Sequence, residues 1–341
     1  MYRKKAKTDK PYGMFVLCAS TVDNIIKLDG TFPIEGGITV TASDSQLEPG
    51  GESNLIICFN RMGGKALPVG AVGTDDVYSD FMINAYTELG VETSCLKRID
   101  GYRLPVANCI VDAEGRHTFL SYMPGVDFDS DENIMSKLEL CQAYYMNGYY
   151  LAKGHHFYDL ALKIMHKANE YGIPVFFDPG PCLENASEEL KKELLEQVDV
   201  FCMNEVEGKA MTGIADPEKA AEYLKERTEA LILMKYGARG CYVTAQGLAG
   251  KWYPGFKVRM VDTMGCGDSF LSTFMYGYLE GFDLDTCIIL GNAAGAVKAA
   301  KFGTGRNVPT FDEVVTMLKN NGYTVNETSK QTGRFTDLEL K

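Results

Sequence analysis

Apolar runs of strand length recur along this chain, and amphipathic segments separate most of them. A short apolar run bounded by turn residues is typical of a buried strand, whereas apolar residues three and four positions apart are typical of a helix. The predicted strands are residues 15–20, 66–72, 143–147, 175–178, 200–203 and 230–235. The predicted helices are residues 53–62, 79–89, 157–171 and 187–197. This alternation predicts an α/β fold with a doubly wound, mostly parallel sheet flanked by helices on both faces.

Two stretches interrupt the alternation, at residues 22–47 and 95–127. The second contains segments 106–111 and 117–120, whose alternating pattern is typical of half-buried antiparallel strands. We expect the two stretches to pair in space as a small antiparallel β-sheet that emerges from the main domain. The predicted domain runs from residue 12 to residue 325. Residues 326–341 are polar and irregular, which predicts a surface tail.

The acidic balance of the chain restricts its partners. The sequence contains 34 Lys and Arg against 46 Asp and Glu, a formal net charge of −12, which disfavours the broad basic surface that nucleic-acid binding requires. Ten cysteines are scattered without a Cys-x-x-Cys pair, which predicts free thiols in a reducing compartment. No apolar run has the length of a membrane span. We therefore expect a cytoplasmic protein with a small-molecule ligand and neither a nucleic-acid nor a membrane partner.

The most informative stretch is residues 262–268, Asp-Thr-Met-Gly-Cys-Gly-Asp, which joins a strand-like run at 256–261 to a segment with helical spacing. Its glycines and its last carboxylate would lie at a helix start, where the first backbone N–H groups have no intrahelical partner and can hold phosphate oxygens. Glycine also permits a tight turn and close approach of a ligand. Taken alone, Asp268 would equally fit a helix cap, so other segments must decide.

Polar residues also follow the first predicted strand and precede the first predicted helix. Asp23 comes shortly after the strand at 15–20, and Gly51 and Asn54 lie where the helix at 53–62 begins. Open α/β sheets bind ligands at the carboxyl ends of their strands. These positions are therefore candidates for substrate contacts, although Asp is also common in ordinary turns.

Two further segments follow strands in the second half of the chain. Asn204 and Glu207 come directly after the strand at 200–203, where an Asn and a Glu three residues apart also fit a capping box at a helix start. Lys235, Gly237 and Gly240 form the turn after the strand at 230–235, which a glycine-containing hairpin would explain. Both segments fit a local structural role as well as a site.

Residues 262–268 resemble the second signature of the ribokinase-like (PfkB) family of sugar and nucleoside kinases, usually D-T-x-G-A-G-D, with Cys266 at the alanine position. The segment from Glu48 to Asp75 resembles the first signature of that family. The resemblance covers residues 15–308 and implies a ribokinase-like fold in which the small sheet forms a lid over the sugar site. In that family the lid often forms a dimer interface, which predicts a homodimer through the lid.

The resemblance also implies a role for each matching residue. Asp268 is the expected catalytic base, and the turn of Gly265, Cys266 and Gly267 is the expected anion hole for the transferring phosphoryl group. The remaining expected roles are substrate binding by Asp23, Gly51 and Asn54, ATP binding by Lys235, Gly237, Gly240, Asn292 and Gly303, and Mg²⁺ binding by Asn204 and Glu207. A monovalent cation is also implied, in a loop that would involve Asp262.

Two positions depart from the family pattern, and both concern the substrate. Many sugar kinases of the family carry Asp-x-Asn-x-Arg where this chain has Asp178-Pro179-Gly180-Pro181. Glu52 replaces the basic or small residue that is common after the paired glycines. Analogy with the family therefore does not select one sugar.

The sequence contains no Gly-x-x-x-x-Gly-Lys-Ser/Thr and lacks the third glycine of the dinucleotide fingerprint, which disfavours a P-loop NTPase and a dehydrogenase. We predict ATP-dependent phosphorylation of a hydroxymethyl group on a sugar or sugar-like molecule. Two alternatives stay open, namely a nucleoside kinase of the same fold and a non-catalytic sugar-binding regulatory protein on the same scaffold.

Overall fold

The computed structural model describes residues 9–18, 21–32, 40–114, 116–326, 329, 331 and 335. Within these residues the strands are β1 (Tyr12–Cys18), β2 (Thr21–Lys27), β3 (Asp44–Gly50), β4 (Ala66–Gly73), β5 (Leu96–Ile99), β6 (Val106–Val111), β7 (His117–Tyr122), β8 (Cys141–Asn147), β9 (Val175–Asp178), β10 (Val200–Asn204), β11 (Leu231–Lys235), β12 (Gly240–Ala245) and β13 (Leu248–Pro254). The α-helices are α1 (Ser53–Arg61), α2 (Val77–Glu88), α3 (Asp131–Leu138), α4 (Tyr158–Glu170), α5 (Glu188–Gln197), α6 (Glu205–Thr212), α7 (Pro217–Lys225), α8 (Cys266–Glu280), α9 (Leu284–Ala299) and α10 (Phe311–Asn320).

The main sheet has the strand order β13-β12-β11-β10-β9-β8-β1-β4-β5. The strands from β5 across to β11 are mutually parallel, and β12 and β13 add an antiparallel edge. The order reverses at β1, because the chain continues to β4 and β5 on one side and later to β8 through β11 on the other. A ligand site is expected outside the carboxyl ends of the strands at such a reversal.

Helices cover both faces of this sheet, as the alternation predicted. Along β1, Met14 and Val16 pack on one face with residues of α1, α2, α8, α9 and α10. Phe15 and Leu17 pack on the other face with residues of α3 through α7. The apolar run of β1 is buried throughout because each face of a parallel sheet carries its own helical layer.

The predicted helices correspond to α1, α2, α4 and α5, with ends that differ by no more than two residues. Their starts are fixed by local chemistry: the Asp76 side chain accepts a hydrogen bond from the Ser79 N–H, and the Ser187 side chain accepts one from the Leu190 N–H. The six predicted strands correspond to β1, β4, β8, β9, β10 and β11. β1 begins three residues earlier than predicted, and residues 19–20 lie outside the described part.

A second sheet, the lid sheet, has the strand order β3-β2-β6-β7. The two interrupting stretches do pair, but they do so through β2 and β6, which run parallel with Val22 opposite Val106. The outer pairings β2–β3 and β6–β7 are antiparallel. The inner face of the lid sheet packs Ile25 and Cys109 against Met264, so the lid lies over the segment that precedes α8.

Two local predictions are wrong. Residues Leu96–Ile99, inside the predicted lid stretch 95–127, form β5 and pair in parallel with β4 in the main sheet. Residues 256–261 are not a strand, because β13 already occupies the sheet edge before them. The Val261 N–H donates instead to the Ala299 carbonyl at the end of α9. Residues 33–39 of the predicted lid lie outside the described residues.

Most of the predicted tail at 326–341 also lies outside the described residues. Phe335, which is described, is buried rather than on the surface. Its carbonyl accepts a hydrogen bond from the Tyr276 hydroxyl at 2.9 Å, and its ring centroid lies 4.6 Å from that of Phe311. The expectation of a surface tail is therefore wrong at this residue. Among the described helices, none has both the length and the apolar composition that crossing a bilayer requires.

Candidate active site

A cavity of about 480 Å³ lies between the lid sheet and the carboxyl ends of the central strands. Lid residues on one side and the ends of β8 and β9 on the other contribute to its walls. Five of the residues that the sequence assigned to substrate or chemistry line this one cavity: Asp23, Gly51, Asn54, Gly265 and Asp268. They come from three segments that are far apart in the sequence, and the fold brings them together around one cavity.

The predicted anion-binding turn is present at the start of α8. Gly265 is the residue before the helix and has a φ of +73°, a left-handed conformation that favours glycine. Asp268 is the third residue of the helix. Within the described residues no carbonyl accepts the N–H of Gly267 or Asp268, as is typical of the first turn. These two donors and the positive end of the helix dipole can therefore hold an anion.

Burial and a neighbouring carboxylate both disfavour the ionised form of the Asp268 carboxyl. It is partly exposed to the cavity, yet the surrounding protein and the nearby Asp178 raise its pKa to about 7. Lys235 and the Asn54 side chain act in the opposite direction. A carboxyl whose pKa lies near neutral pH can accept a proton efficiently under ordinary conditions.

The Lys235 side chain lies beside this turn. The Lys235 Nζ atom is 3.1 Å from Asp178 Oδ2, and a Cβ atom built on Gly267 would lie 3.2 Å from the same Nζ. Burial disfavours the charged amine, but Asp178, Cys202 and Glu207 together outweigh it and raise the Lys235 pKa. Lys235 therefore carries a positive charge against the start of α8.

The position of Asp23 depends on glycine at residue 50. Asp23 follows β1, as predicted, and lies inside β2, and a Cβ atom on Gly50 would come within 1.9 Å of its Oδ1 atom. The Thr304 hydroxyl donates to Asp23 Oδ2 at 2.9 Å. Burial raises the pKa of Asp23 to about 7, against the effect of Thr304.

The loop at residues 303–306 also contacts the other predicted substrate residue. The Gly305 N–H donates to Asn54 Oδ1 at 2.8 Å, which orients the side-chain amide of Asn54. Gly51 has a φ of +56°, and a Cβ atom there would meet the Thr21 hydroxyl at 2.8 Å. The loop thus holds both Asp23 and Asn54. The sequence analysis assigned no role to Thr304, because a lone Thr in a glycine-rich loop carries no motif.

Asn204 and Glu207 form the capping box that the sequence allowed as their structural reading. The Asn204 side chain accepts hydrogen bonds from the N–H groups of Val206 and Glu207, and Glu207 Oε2 accepts one from the Asn204 N–H at 2.8 Å. Burial and then Asp178 raise the pKa of Glu207 to about 7. Glu207 therefore lies close enough to the Asp178–Lys235 pair to feel its charges. The side-chain Oδ1 atom of Asn204 is already occupied by the two N–H groups at the start of α6.

The other residues assigned to ATP do not line this cavity. Gly237 and Gly240 form the predicted turn between β11 and β12 with φ values of +48° and +102°. The Asn292 side-chain amide donates to the carbonyls of Tyr253 and Pro254 and so holds the end of β13. Gly303 has a φ of +86° and donates its N–H to Asp262 Oδ2. Each of these residues has a structural role in this arrangement.

Asp262 connects the lid, the turn before α8 and the loop at 303–306. Its Oδ1 accepts the Met264 N–H at 3.0 Å and its Oδ2 accepts the Gly303 N–H at 2.9 Å. His117 Nε2 of the lid strand β7 lies 3.1 Å from Oδ1, without an aligned hydrogen bond. The Lys298 ammonium, which is fully buried, lies 3.9 Å from Oδ2. The chain therefore supplies its own positive charge beside Asp262.

A second cavity, of about 420 Å³, lies at the opposite edge of the sheet, where β10 and β11 begin. Its polar lining is used internally: the Asp199 carboxylate accepts the Val175 N–H at 2.8 Å, and the Thr228 hydroxyl donates to the Leu195 carbonyl at 2.6 Å. The cavity at the carboxyl ends is therefore the better candidate for chemistry.

Known proteins resemble this chain in both sequence and architecture. Haemophilus influenzae ribokinase is 27% identical over 324 residues, which covers 89% of this chain and 98% of that protein. Zea mays fructokinase-1 is 27% identical over 309 residues, which covers 84% of this chain and 94% of that protein. The crystal structure of Thermotoga maritima ribokinase superposes with a TM-score of 0.74 at 26% identity and covers 91% of this chain and 100% of its own.

A structure of a ribokinase II from E. coli, in complex with ATP and Mg²⁺, superposes with a TM-score of 0.75 at 18% identity and covers 91% of this chain and 99% of its own. At that identity the likeness establishes the fold, which is the ribokinase-like arrangement of a large sheet and a small lid sheet. The family description pfkB family carbohydrate kinase matches residues 18–311. These residues include the lid, the cavity and the anion-binding turn, and the chain belongs to the pfkB family of carbohydrate kinases.

Proposed function

We propose that this protein transfers the γ-phosphoryl group of ATP to a hydroxymethyl group of a sugar or sugar-like molecule, with Asp268 as the base. The observation that carries the proposal is the position of Asp268: its carboxylate faces the same cavity as Asp23 and Asn54. It also lies in the helix turn whose N–H donors are unpaired among the described residues. One short segment thus joins an acceptor site to an anion site.

The acceptor hydroxyl would be held by Asp23 and Asn54 and directed at Asp268. A carboxylate accepts hydrogen bonds from two adjacent hydroxyls, and an amide both accepts and donates. The hydroxyl oxygen forms a bond to the γ-phosphorus, the bond from that phosphorus to the bridging oxygen breaks, and ADP leaves. The hydroxyl proton goes to Asp268. In a loose transition state positioning contributes more than basicity.

The charge on the transferring group would be met by the turn before and within α8. The N–H groups of Gly265 and Gly267 would act here together with that of Asp268, whereas the Cys266 N–H already donates to the Thr263 carbonyl at 3.3 Å and would have to leave it to contact the phosphoryl group. Donors placed in advance at a developing charge cost no reorganisation during the reaction. The Lys235 ammonium beside Gly267 adds a positive charge. We assign Gly237, Gly240, Asn292 and Gly303 to the adjoining nucleotide region, where their observed contacts would shape its walls.

Mg²⁺ would supply charge neutralisation to the phosphate oxygens. The residues present fit such an ion in part. Glu207 and Asp178 are oxygen donors close enough for Asp178 to raise the Glu207 pKa, and hard cations that keep several waters prefer such donors. Because Asn204 Oδ1 already caps α6, we propose that Asn204 acts by orienting Glu207.

The test is a coupled assay of ADP release with Mg-ATP across sugars, sugar acids, polyols and nucleosides. We expect turnover with a sugar-type acceptor. The Asp268→Asn variant should lower kcat by roughly 10²- to 10⁴-fold, the usual contribution of a general base, while its dissociation constants for acceptor and ATP stay within a few-fold. Asp131→Asn, which removes an exposed carboxylate paired with Lys163 on the surface, is the matched control.

The outcomes separate the three readings of the sequence. Turnover of a nucleoside alone identifies a nucleoside kinase, and binding of a sugar without ADP release identifies a regulatory protein. Wild-type kcat in Asp268→Asn would remove this carboxylate from the mechanism.

A further inference from the structure

Glu52 lines the active-site cavity but has no place in the chemistry described so far. It is only 4% exposed, between Gly51 and the start of α1. Its Oε1 atom accepts a hydrogen bond from Asn147 Nδ2 at 2.6 Å and lies 2.6 Å from the Tyr150 hydroxyl. Its Oε2 atom is buried and has no hydrogen-bond partner among the described residues. An unpaired buried acceptor is unfavourable, so this oxygen at the cavity wall points to a ligand donor.

A purely structural role does not account for this carboxylate. Through Oε1, Glu52 joins the start of α1 to Asn147 at the end of β8. A glutamine would make the same contact with its own carbonyl oxygen and would avoid burying a charge. Burial raises the pKa of Glu52, and only the donors Tyr150 and Asn147 and the backbone oppose this. The second oxygen is therefore the part of the side chain that the protein's own contacts leave unused.

The charge of the cavity lining also affects which acceptors can bind. Four acidic side chains line it: Asp23, Glu52, Asp178 and Asp268. None of the described lining residues is Lys, Arg or His, and Lys235 behind the wall is already paired with Asp178. Like charges close together in a cavity of low dielectric repel strongly. Because Asp178 is paired with Lys235 and the pKa values of Asp23 and Asp268 are about 7, the negative charge of the cavity increases as the pH rises above 7. An anionic acceptor is disfavoured under those conditions.

We propose that Glu52 determines acceptor specificity by taking a hydrogen bond from a hydroxyl or amino group of the substrate. The site accordingly accepts uncharged or amino-bearing polyhydroxy compounds and rejects sugar acids and sugar phosphates. This inference rests on the proposed function, since it names the substrate class of that same site. A site built to pair with a substrate donor discriminates strongly against analogues that lack it.

The test measures acceptor binding by calorimetry on the full chain without nucleotide, so that it does not depend on turnover. The compounds are neutral pentoses and hexoses, their 2-amino-2-deoxy counterparts, the matching aldonic acids and the matching sugar phosphates. We expect the neutral or amino compounds to bind and the anionic ones to bind at least tenfold more weakly. The comparison of amino sugars with their neutral parents identifies whether an ammonium or a hydroxyl group meets Glu52.

The Glu52→Gln variant isolates the second oxygen, because it keeps Oε1 and places an amide donor where Oε2 was. We expect its affinity for the preferred acceptor to fall roughly 10- to 100-fold, the range of a hydrogen bond to a charged group. The ratio of its affinities for neutral sugars and for the matching aldonic acids should become smaller than in the wild type. Glu170→Gln, at an exposed pair with Lys167, should change neither quantity. An unchanged melting temperature shows that Glu52→Gln is folded; if it fails to fold, the selectivity of the wild type still decides.

Three results would overturn the inference: aldonic acids or sugar phosphates that bind as tightly as their neutral parents, an affinity in folded Glu52→Gln within twofold of wild type, or no binding of any neutral or amino compound. The failure of the kinase proposal looks different. Selective binding without ADP release would reject phosphoryl transfer and leave the role of Glu52 intact, whereas turnover of sugar acids would do the reverse.

Discussion

The reactivity of Asp268 depends on how its surroundings balance burial against positive charge. The cavity walls and Asp178 raise its pKa to about 7, while Lys235 and Asn54 limit the rise. Asp23, on the other side of the acceptor site, reaches about the same pKa because it is buried. Two carboxylates needed in their ionised form therefore titrate in the same range, although one is the proposed base and the other the proposed substrate ligand.

This coincidence predicts the pH dependence of the reaction. A base must be unprotonated to accept the hydroxyl proton, so kcat/KM should be low in acid, rise through pH 7 and reach a plateau above it. Because two groups titrate together, log(kcat/KM) should rise with a slope between one and two at acid pH. Initial rates from pH 5.5 to 9 at constant ionic strength measure the slope. A profile that is flat from pH 5.5 upward would show that neither carboxylate has the raised pKa in the free enzyme.

The residues of the site differ in how far the sequence could identify them. Gly265 and Asp268 belong to one short motif, and the local chemistry of a helix start already suggests their use. Glu52 lies in the segment that resembles the first family signature but departs from its pattern, and Tyr150 belongs to no motif. The role of Glu52 depends on contacts with side chains about a hundred positions away, which the motif does not report. The sequence could have identified Asn147 as a candidate, because it ends β8 and polar residues at the ends of parallel strands are candidates for ligand contacts.

At the level of elements, the start of α8 is held by an ionic contact that also reaches the lid. Burial works against the charged form of Asp262, but His117, the Met264 and Gly303 N–H groups and Lys298 outweigh it and lower its pKa. Lys298 has the opposite balance, because burial lowers its pKa against the attraction of Asp262. The two charges thus depend on one another.

The pair predicts strong coupling between the two positions. Asp262→Asn removes the partner of a buried ammonium, which should lower the free energy of unfolding by about 3–5 kcal/mol. Adding Lys298→Met removes the uncompensated charge, so the double variant should be clearly more stable than the sum of the single effects predicts. Urea unfolding of the four proteins in a double-mutant cycle measures the coupling. Lys163→Met, whose side chain pairs with Asp131 on the surface instead, should combine additively with Asp262→Asn; additivity at Lys298 as well would contradict the interpretation.

The same distinction between local and distant information explains which elements the sequence predicted. Residues 53–61 form α1 because apolar residues recur with helical spacing, a property of the segment itself. Residues 256–261 have a strand-like composition but no neighbouring strand to pair with, and β5 pairs with β4 rather than with the lid. Sheet membership depends on partners elsewhere in the chain, which periodicity does not report.

At the scale of the whole molecule, the lid sheet has two faces with different environments. Side chains alternate along β7, so that Phe119 and Ser121 line the cavity while Leu120 and Tyr122 face away from it. Leu120 is 55% exposed and Tyr122 is 73% exposed. β7 is also an edge strand of its sheet. The opposite edge, β3, contains Pro49 and polar residues, which protect an edge from pairing, whereas β7 has no proline.

This exposed apolar edge predicts that a second copy of the chain covers it. We expect the wild-type protein to be a dimer at micromolar concentration by size-exclusion chromatography with light scattering. Leu120→Asp would place a charge in the contact and should weaken dimerisation by at least roughly tenfold, since burying an unpaired charge costs more than 1.4 kcal/mol. It should leave the monomer folded, because the side chain points into solvent there. Val77→Asp, at a 76% exposed position on α2, is the control for a charge on an unrelated surface. A monomeric wild type, or equal dimerisation of Leu120→Asp and wild type, would show that the lid edge is left uncovered in solution, and the apolar face of β7 would then need another explanation.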